Sequence, residues 1–274
     1  MPLEKNATPL ARRLLLTGAA GGLGQALRPR LPVLCETLRL SDLHALGDLA
    51  PHEEFVPADL AQAAQVDAMV ASCDAIVHLG GISVEGPFLP IMQANILGLF
   101  HLYEAARRHG VRRVVFASSN HVTGFYSQGE TITADAPPRP DGYYGVSKAF
   151  GEDLSRFYYD RYGIETACVR IGSSYPQPRD RRMLATWLSY DDLLRLIAAC
   201  LSTPVLGHSI LFGMSDNAVT WWDNSRARHI GYVPRDSSDA FRDAVHARTP
   251  APDPADPASR YQGGAFTQAG PFEG

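Results

Sequence analysis

The sequence predicts an α/β fold built on a doubly wound parallel sheet, and three observations carry the prediction. Short apolar runs of strand length alternate with helical patterns from residue 12 to 171, the pattern of repeated βαβ units. A glycine-rich turn, Thr17-Gly18-Ala19-Ala20-Gly21-Gly22-Leu23-Gly24, follows the first apolar run directly and opens a helix. Polar clusters fall just beyond later runs, where open α/β sheets place their ligands. The 274 residues suffice for one large domain with a small appendage. We expect a core over 12–171 and a smaller lobe and tail over 172–274, sharing one interior because no clean linker divides them.

In order along the chain, residues 1–11 are expected to form a disordered or loosely docked arm. Residues 12–17 form a buried strand with Leu14, Leu15 and Leu16. Gly18, Gly21 and Gly24 then give a G-x-x-G-x-x-G spacing. Such a spacing serves a tight turn, close approach of backbone to a pyrophosphate, and close packing of helix on strand. The helix N-terminus then faces the anion. The turn, with Gly22 and Leu23, is assigned to a dinucleotide in a Rossmann-type core. Leu38 to Leu40 form the second strand, which runs out at Asp42. An acid there accepts hydrogen bonds from the adenosine ribose and repels a ribose phosphate. No arginine or lysine follows closely, which favours NAD over NADP; the bland alternative makes Asp42 a turn or N-cap residue. Asp59 and Leu60 fall where a carboxylate can meet the adenine amino group, and Asp59 reads equally well as N-cap of a helix over 61–70.

Residues 73–79 form another buried strand, ending at Leu79 on the cofactor side. His78 within it reads as a hydrogen-bonded core histidine. Gly80 and Gly81 let backbone approach the nicotinamide side, and Ser83 lies just past the strand end. An amphipathic helix over 91–109 carries one odd polar residue, Asn95, expected to bond into the sheet or hold a water. Gly110 ends the helix. The strand over 111–117 runs into Ser118-Ser119-Asn120-His121, and a serine here can join a tyrosine and a substrate oxygen. An irregular loop over 124–142 leads to a helix over 144–161, expected to bury Val146, Phe150, Leu154 and Phe157. A strand over 166–171 precedes Gly172-Ser173-Ser174-Tyr175. Beyond it we expect a helix over 191–200, a strand over 205–212, Trp221 and Trp222 packing the small lobe, a helix over 239–247 and a Pro/Gly-rich tail.

Tyr144 and Lys148 stand four apart on their helix, hence on one face. A phenol of pKa near ~10 is a poor base at neutral pH. A close ammonium favours the phenolate, and lowering the pKa by roughly 2 units takes about 3 kcal/mol. The pair is a plausible proton-abstracting unit; on spacing alone it is equally a helix surface. For a carboxylate substrate, the run Arg179-Asp180-Arg181-Arg182 supplies guanidinium candidates, though spacing does not say which of them points inward.

Composition narrows the functional classes. Hydrophobic content of 45% and charged content of 20% are ordinary for a soluble globular chain. A net charge of -4 gives no reason to expect nucleic acid or an anionic membrane. No apolar run is long enough to span a bilayer, and the start lacks an apolar signal region; a cytoplasmic location is expected. Cys35, Cys73, Cys168 and Cys200 are widely spaced in apolar settings, so buried reduced thiols are expected, with neither disulfides nor a metal site.

Gly18/Gly21/Gly24, Asp42, Ser119 and the Tyr144/Lys148 pair together resemble the extended short-chain dehydrogenase/reductases. At closer range Gly80 to Glu85, Ala117 to His121, Tyr144 to Lys148, Val169 to Ser173, Trp221 to Asn224 and Gly263 to Phe266 resemble the bacterial uronate dehydrogenases. The resemblance implies NAD-dependent oxidation of galacturonate or glucuronate at the anomeric carbon to an aldaric acid lactone. It implies Tyr144 as base, Lys148 lowering its pKa and holding the nicotinamide ribose, and Ser119 orienting the sugar hydroxyl. It places Ser83, Asn120, His121 and Ser173 against the sugar and Arg182 on the uronate carboxylate. It also implies a homo-oligomer. Gly22 departs from the larger polar residue that relatives often carry there. Two other readings share the fold: a nucleotide-sugar epimerase or dehydratase, which needs a larger C-terminal lobe, and a non-enzymatic NAD-sensing protein, which need not keep the tyrosine and lysine.

Overall fold

Strand β1 (Ala11–Thr17) sends Leu14 and Leu16 into the packing on one side of the sheet and Leu15 into that on the other, all three sealed from solvent. A strand buried on both faces has no polar side to show, so its sequence is one apolar run. The computed structural model describes residues 9–272. After β1 come α1 (Gly22–Leu27), β2 (Cys35–Ser41), β3 (Glu53–Phe55), α2 (Ala63–Val70), β4 (Ala75–His78), α3 (Phe88–Ile91), α4 (Gly98–His109) and β5 (Arg113–Ser119). Next are β6 (Ile132–Thr133), α5 (Tyr143–Tyr162), β7 (Glu165–Ile171), α6 (Met183–Thr186) and α7 (Tyr190–Ser202). The chain continues through β8 (His208–Gly213), β9 (Trp222–Asp223), α8 (Arg242–Arg248) and α9 (Pro257–Arg260).

Seven strands make one sheet in the order β3-β2-β1-β4-β5-β7-β8, each neighbouring pair parallel. The order reverses between β1 and β4, which opens a crevice outside the carboxyl ends at that point. Register sets Thr17 beside both Ser41 and His78, and Ser119 beside Ile171. The polar clusters therefore leave the sheet along one edge. Helices α1 and α7 cover one face; α2, α4 and α5 cover the other. Strand β8 comes from beyond residue 171 and closes the sheet, and α7 packs into the same core as β1. Trp221 and Trp222 cluster with Ile132, Ala185 and Phe212, where Trp222 stacks on Phe212 at 4.8 Å between centroids.

Helix α5 turns to the sheet a different face from the one expected. Val146, Phe150 and Phe157 are between 36% and 48% exposed, and Leu154 is only partly buried. The buried positions are Tyr144, Gly145, Ser147, Lys148, Gly151, Glu152, Ser155 and Tyr158. Close approach is the reason. A Cβ on Gly151 would come within 2.6 Å of Phe116 and 2.8 Å of Leu99, and one on Gly145 would collide with the His121 carbonyl. Small residues let α5 lie against β5, and the bulky apolar ones are left outside.

Other expectations also change. The helix expected over 91–109 begins at Phe88 and is interrupted by a π-helical turn over Met92–Leu97. There Asn95 bonds away from the sheet strands: its Oδ1 accepts from Ile82 N–H (2.8 Å), and its Nδ2 donates to Ile82 O and Ser147 Oγ (both 2.9 Å). Asp59 does not cap α2, whose N-cap is Gln62; its Oδ1 accepts from Ala61 N–H (2.9 Å), two residues on. The helix expected over 239–247 is a 3-10 turn over Ser238–Phe241 followed by α8, and the tail beyond it adds α9. Of the expected arm, residues 1–8 lie outside the described residues, and Ala11 already belongs to β1.

One turn beyond Lys148, Glu152 forms a bidentate pair with Arg170 (2.9 and 2.8 Å), both side chains under 5% exposed. Ser118 donates to the same carboxylate at 2.6 Å. Breaking a buried pair strands the other charge. Glu152→Ala is therefore expected to cost about 3–5 kcal/mol of stability, read by urea unfolding; a loss under about 1 kcal/mol would contradict the pairing.

Candidate active site

The glycine turn leaves β1 with Gly18 at φ +70°, its missing Cβ only 2.8 Å from the Leu79–Gly80 backbone. A side chain at 18 would push β1 and β4 apart and be strained as well. Gly22 faces open space. Around this turn a cleft of about 800 Å³ runs along the carboxyl edge of the sheet. One end is lined by Gly18, Gly21, Gly22, Leu23, Gly24, Asp42, Asp59, Leu60 and Leu79; the other by Ser83, Ser119, Asn120, His121, Tyr144, Lys148, Ser173 and Arg182. The residues assigned to the cofactor, the sugar and the chemistry thus border one cavity, whereas His78, Asn95, Arg179 and Arg181 do not line it.

At the first end, Asp42 Oδ2 accepts from Ala20 N–H (3.0 Å) and Oδ1 from His44 N–H (3.1 Å), which fixes the carboxylate beside the glycine turn. The bare backbone of the turn, open space over Gly22 and an acid at the end of β2 fit a dinucleotide with a free ribose. His78 lies beneath this end as a buried core residue. Thr17 Oγ1 accepts from Gly80 N–H (3.1 Å) and lies 2.7 Å from His78 Nδ1, to which it can donate its own proton. Burial first, then the Lys148 charge, lowers the His78 pKa to about 3, so its ring is neutral.

At the other end Tyr144 is buried, and burial raises its pKa to about 12; the Ser119 hydroxyl pulls the other way and Asp141 adds to the rise. The expected lowering of this pKa is therefore not found. Lys148 sits with Nζ 5.6 Å from the Tyr144 ring centroid and donates to Ala117 O at 2.8 Å. Burial lowers its pKa from 10.5 to about 8. Below pH 8 the folded and unfolded chains both carry this charge, and folding bears its full desolvation cost. Between pH 8 and 10.5 the folded state sheds the proton first, so the cost fades as pH rises. Lys148→Met is accordingly expected to stabilise the ligand-free protein at pH 7 by on the order of 3 kcal/mol. That gain should shrink towards pH 10.5, as read by denaturation at both pH values. An equal gain at both would reject the buried-charge account.

The arginines separate cleanly. Arg179 stacks over Tyr175 at 3.8 Å, and Arg181 donates to Thr249 O (3.1 Å) at the end of α8. Only Arg182 of the three borders the cleft. Its Nε donates to Gln262 O (2.7 Å), its Nη1 to Ser173 Oγ (3.4 Å) and its Nη2 to Asn120 Oδ1 (2.8 Å), with Asn120 Nδ2 donating to Ile171 O (3.1 Å). No carboxylate pairs with Arg182 among the described residues. Burial lowers its pKa. A desolvated guanidinium held by neutral acceptors, with no anion of its own, is a ready partner for a substrate carboxylate.

The sequence reading missed other parts. Phe266, from the tail, stacks on His121 at 3.8 Å and meets Tyr144 edge-on at 6.2 Å. Gln262 anchors this tail by donating to Ser127 O (3.0 Å) and Glu130 O (2.9 Å) and accepting from Trp222 Nε1 (2.9 Å). Glu85 accepts from Tyr143 and Tyr144 N–H (2.8 and 2.9 Å), capping the helix that carries the tyrosine. The Gly263-Gly264-Ala265-Phe266 stretch was the available signal for the tail; Glu85 closes the Gly80–Glu85 stretch, but its capping role left no signal, because it is remote in sequence from the helix it caps. The four cysteines are buried and free, and burial raises the pKa of each. No cluster of metal-ligating side chains, and no helix long and apolar enough to cross a membrane, occurs among the described residues.

The profile of the NAD dependent epimerase/dehydratase family matches residues 14–190. The uronate dehydrogenase of Pseudomonas putida is 60% identical, over 95% of this chain and 97% of its own. That of Agrobacterium fabrum is 56% identical, over 93% and 96%. The crystal structure of uronate dehydrogenase from Agrobacterium tumefaciens superposes with a TM-score of 0.94 at 54% identity, covering 96% of this chain and 99% of that one; a point mutant of it has been solved complexed with NAD. UDP-galactose 4-epimerase, at 20% identity and a TM-score of 0.69, shares the fold alone. With its parallel seven-stranded sheet and near-complete coverage of these relatives, the chain belongs to the NAD-dependent epimerase/dehydratase family and, within it, to the uronate dehydrogenases.

Proposed function

We propose that the chain oxidises the anomeric carbon of a hexuronate, galacturonate or glucuronate, to the aldaric acid lactone, with Tyr144 as base. The carrying observation is the unpaired Arg182 guanidinium in the same cleft as Tyr144, Ser119 and Lys148. NAD, when bound, accepts the hydride. Gly18, Gly21, Gly22, Leu23 and Gly24 bring bare backbone to the dinucleotide, Asp42 takes its ribose, and Asp59, Leu60 and Leu79 wall its adenine and nicotinamide sides. Arg182, with Asn120 and Ser173 beside it, holds the carboxylate and so sets the far end of the sugar, while Ser83 and His121 meet its hydroxyls. Ser119 hydrogen-bonds the reacting oxygen, and Tyr144 removes its proton. The positive charge of Lys148 favours the phenolate this requires.

The test is formation of NADH by the purified protein with galacturonate, glucuronate, galactose and, in parallel, NADP. The reading expects turnover with uronates and NAD, and turnover with galactose or NADP lower by at least ~10²-fold. Equal use of galactose would remove the carboxylate clamp. A nucleotide sugar as the only substrate would move the assignment to epimerase or dehydratase chemistry.

The chain is further proposed to act as a homo-oligomer in the cytoplasm. Val146, Phe150 and Phe157 are exposed on α5, and Leu97, in the π-helical turn, and Phe100, on α4, are exposed on the elements that pack against it. An apolar surface of this kind on neighbouring helices suits a second copy, which a twofold axis brings face to face. Phe150→Glu should then convert the protein to monomers in sedimentation. Wild type sedimenting as a monomer would end this reading.

A further inference from the structure

Asp141, in the loop that leads into α5, belongs to none of the motifs singled out from the sequence. Its side chain is wholly buried, with Oδ2 2.7 Å from His121 Nδ1. Its Oδ1 is buried and has no hydrogen-bond partner among the described residues. The walls of its niche are glycine: a Cβ on Gly124 or on Gly263 would collide with Oδ2. Two separate segments thus give up side chains to seat one carboxylate. Burying a carboxylate with so few partners costs free energy, and such groups concentrate where a site needs them.

The one partner is an imidazole in the cleft. His121 lies stacked on Phe266 and edge-on to Tyr144 at 5.8 Å. The charged groups facing it are Asp141 and Glu85, which favour its protonation, and Arg182, which opposes it; burial outweighs them and keeps the ring neutral at neutral pH. A neutral imidazole has one N–H, and the carboxylate oxygen facing Nδ1 is an acceptor for it. The proton therefore belongs on Nδ1. Nε2 keeps its lone pair, and no hydrogen bond to it is made by any described residue.

We propose that Asp141 is a positioning residue that fixes His121 as the Nδ1–H tautomer, so that Nε2 accepts a hydrogen bond from one hydroxyl of the bound sugar. The proposal rests on the uronate reading of the cleft. The His121–Asp141 pair then acts as a specificity device: a sugar that is inverted or deoxygenated at that carbon leaves a buried lone pair unpartnered, the penalty by which hydroxyl-reading sites discriminate.

The test uses the full-length protein with 15N-labelled histidine, together with Asp141→Asn. In the wild type the His121 ring should show a protonated Nδ1 and a bare Nε2. The asparagine can turn its NH2 to Nδ1 and put the proton on Nε2, as an Asp-to-Asn change does at other paired imidazoles. KM for the preferred uronate should then rise at least ~10-fold, with KM for NAD unchanged and the preference between the two uronates reduced. A purely structural role would lower the melting temperature and leave KM and the preference alone, which would overturn the proposal. If Asp141→Asn fails to fold, the wild-type spectrum decides, since a proton on Nε2 contradicts it. Absence of uronate turnover in the wild type would instead defeat the reading of the cleft.

Discussion

Tyr144→Phe is expected to lower kcat for uronate oxidation by about 10³-fold, within the usual range for loss of a general acid–base, while leaving NAD binding within about twofold. The phenyl ring keeps the edge contacts to His121 and Phe266, so the cleft wall stands. What disappears is the hydroxyl beside Ser119. The wild-type phenol, pushed up to about 12 by burial, must lose its proton to act as base. Uronate turnover should therefore rise with pH from the acid side. Stopped-flow NADH formation and NAD titration of the two proteins separate the effects. Turnover retained in the phenylalanine variant would remove Tyr144 as the base.

Arg182→Gln carries the second large effect. A glutamine can still reach Gln262 O or Ser173 Oγ but offers no charge and no fork. Removing one partner of a desolvated charge-assisted contact costs about 2–5 kcal/mol. KM for uronate should thus rise by at least ~30-fold, with any weak galactose turnover unchanged. The change should cost little stability, because Arg182 has no carboxylate partner to strand. Steady-state kinetics with both sugars checks this. A parallel loss with galactose would mean that Arg182 shapes the cleft without recognising the carboxylate.

Much of this site is legible in the sequence because the physics that makes it is local. Gly18, Gly21 and Gly24 announce a backbone that must come close to something, and Tyr144 and Lys148 share a face by helix geometry alone. Strand ends locate Ser83, Ser119 and Ser173 once the sheet is known to be parallel. Helix α5 misled for an equally physical reason. Its apolar count suggested a core face, yet the buried stripe is built from Gly145, Ser147, Gly151 and Ser155, whose smallness permits contact and whose pattern no hydrophobic periodicity reveals. Spacing alone could not choose among Arg179, Arg181 and Arg182; the carbonyls of Thr249 and Gln262, some 70 to 80 residues away, do that. Asp141 was invisible because its meaning depends on His121, Gly124 and Gly263 meeting in space. The Tyr144 pKa likewise follows from burial, which a four-residue spacing does not report.

The most direct test of the central claim follows the fate of one hydrogen. A hexuronate carrying deuterium at its anomeric carbon is turned over with NAD, and the reduced cofactor and sugar product are analysed by mass spectrometry and NMR. Oxidation at the anomeric carbon predicts one deuterium in the reduced cofactor, none in the product, and an aldaric acid lactone as the first species formed. Deuterium retained on the sugar, with unlabelled reduced cofactor or a keto sugar as product, would contradict it.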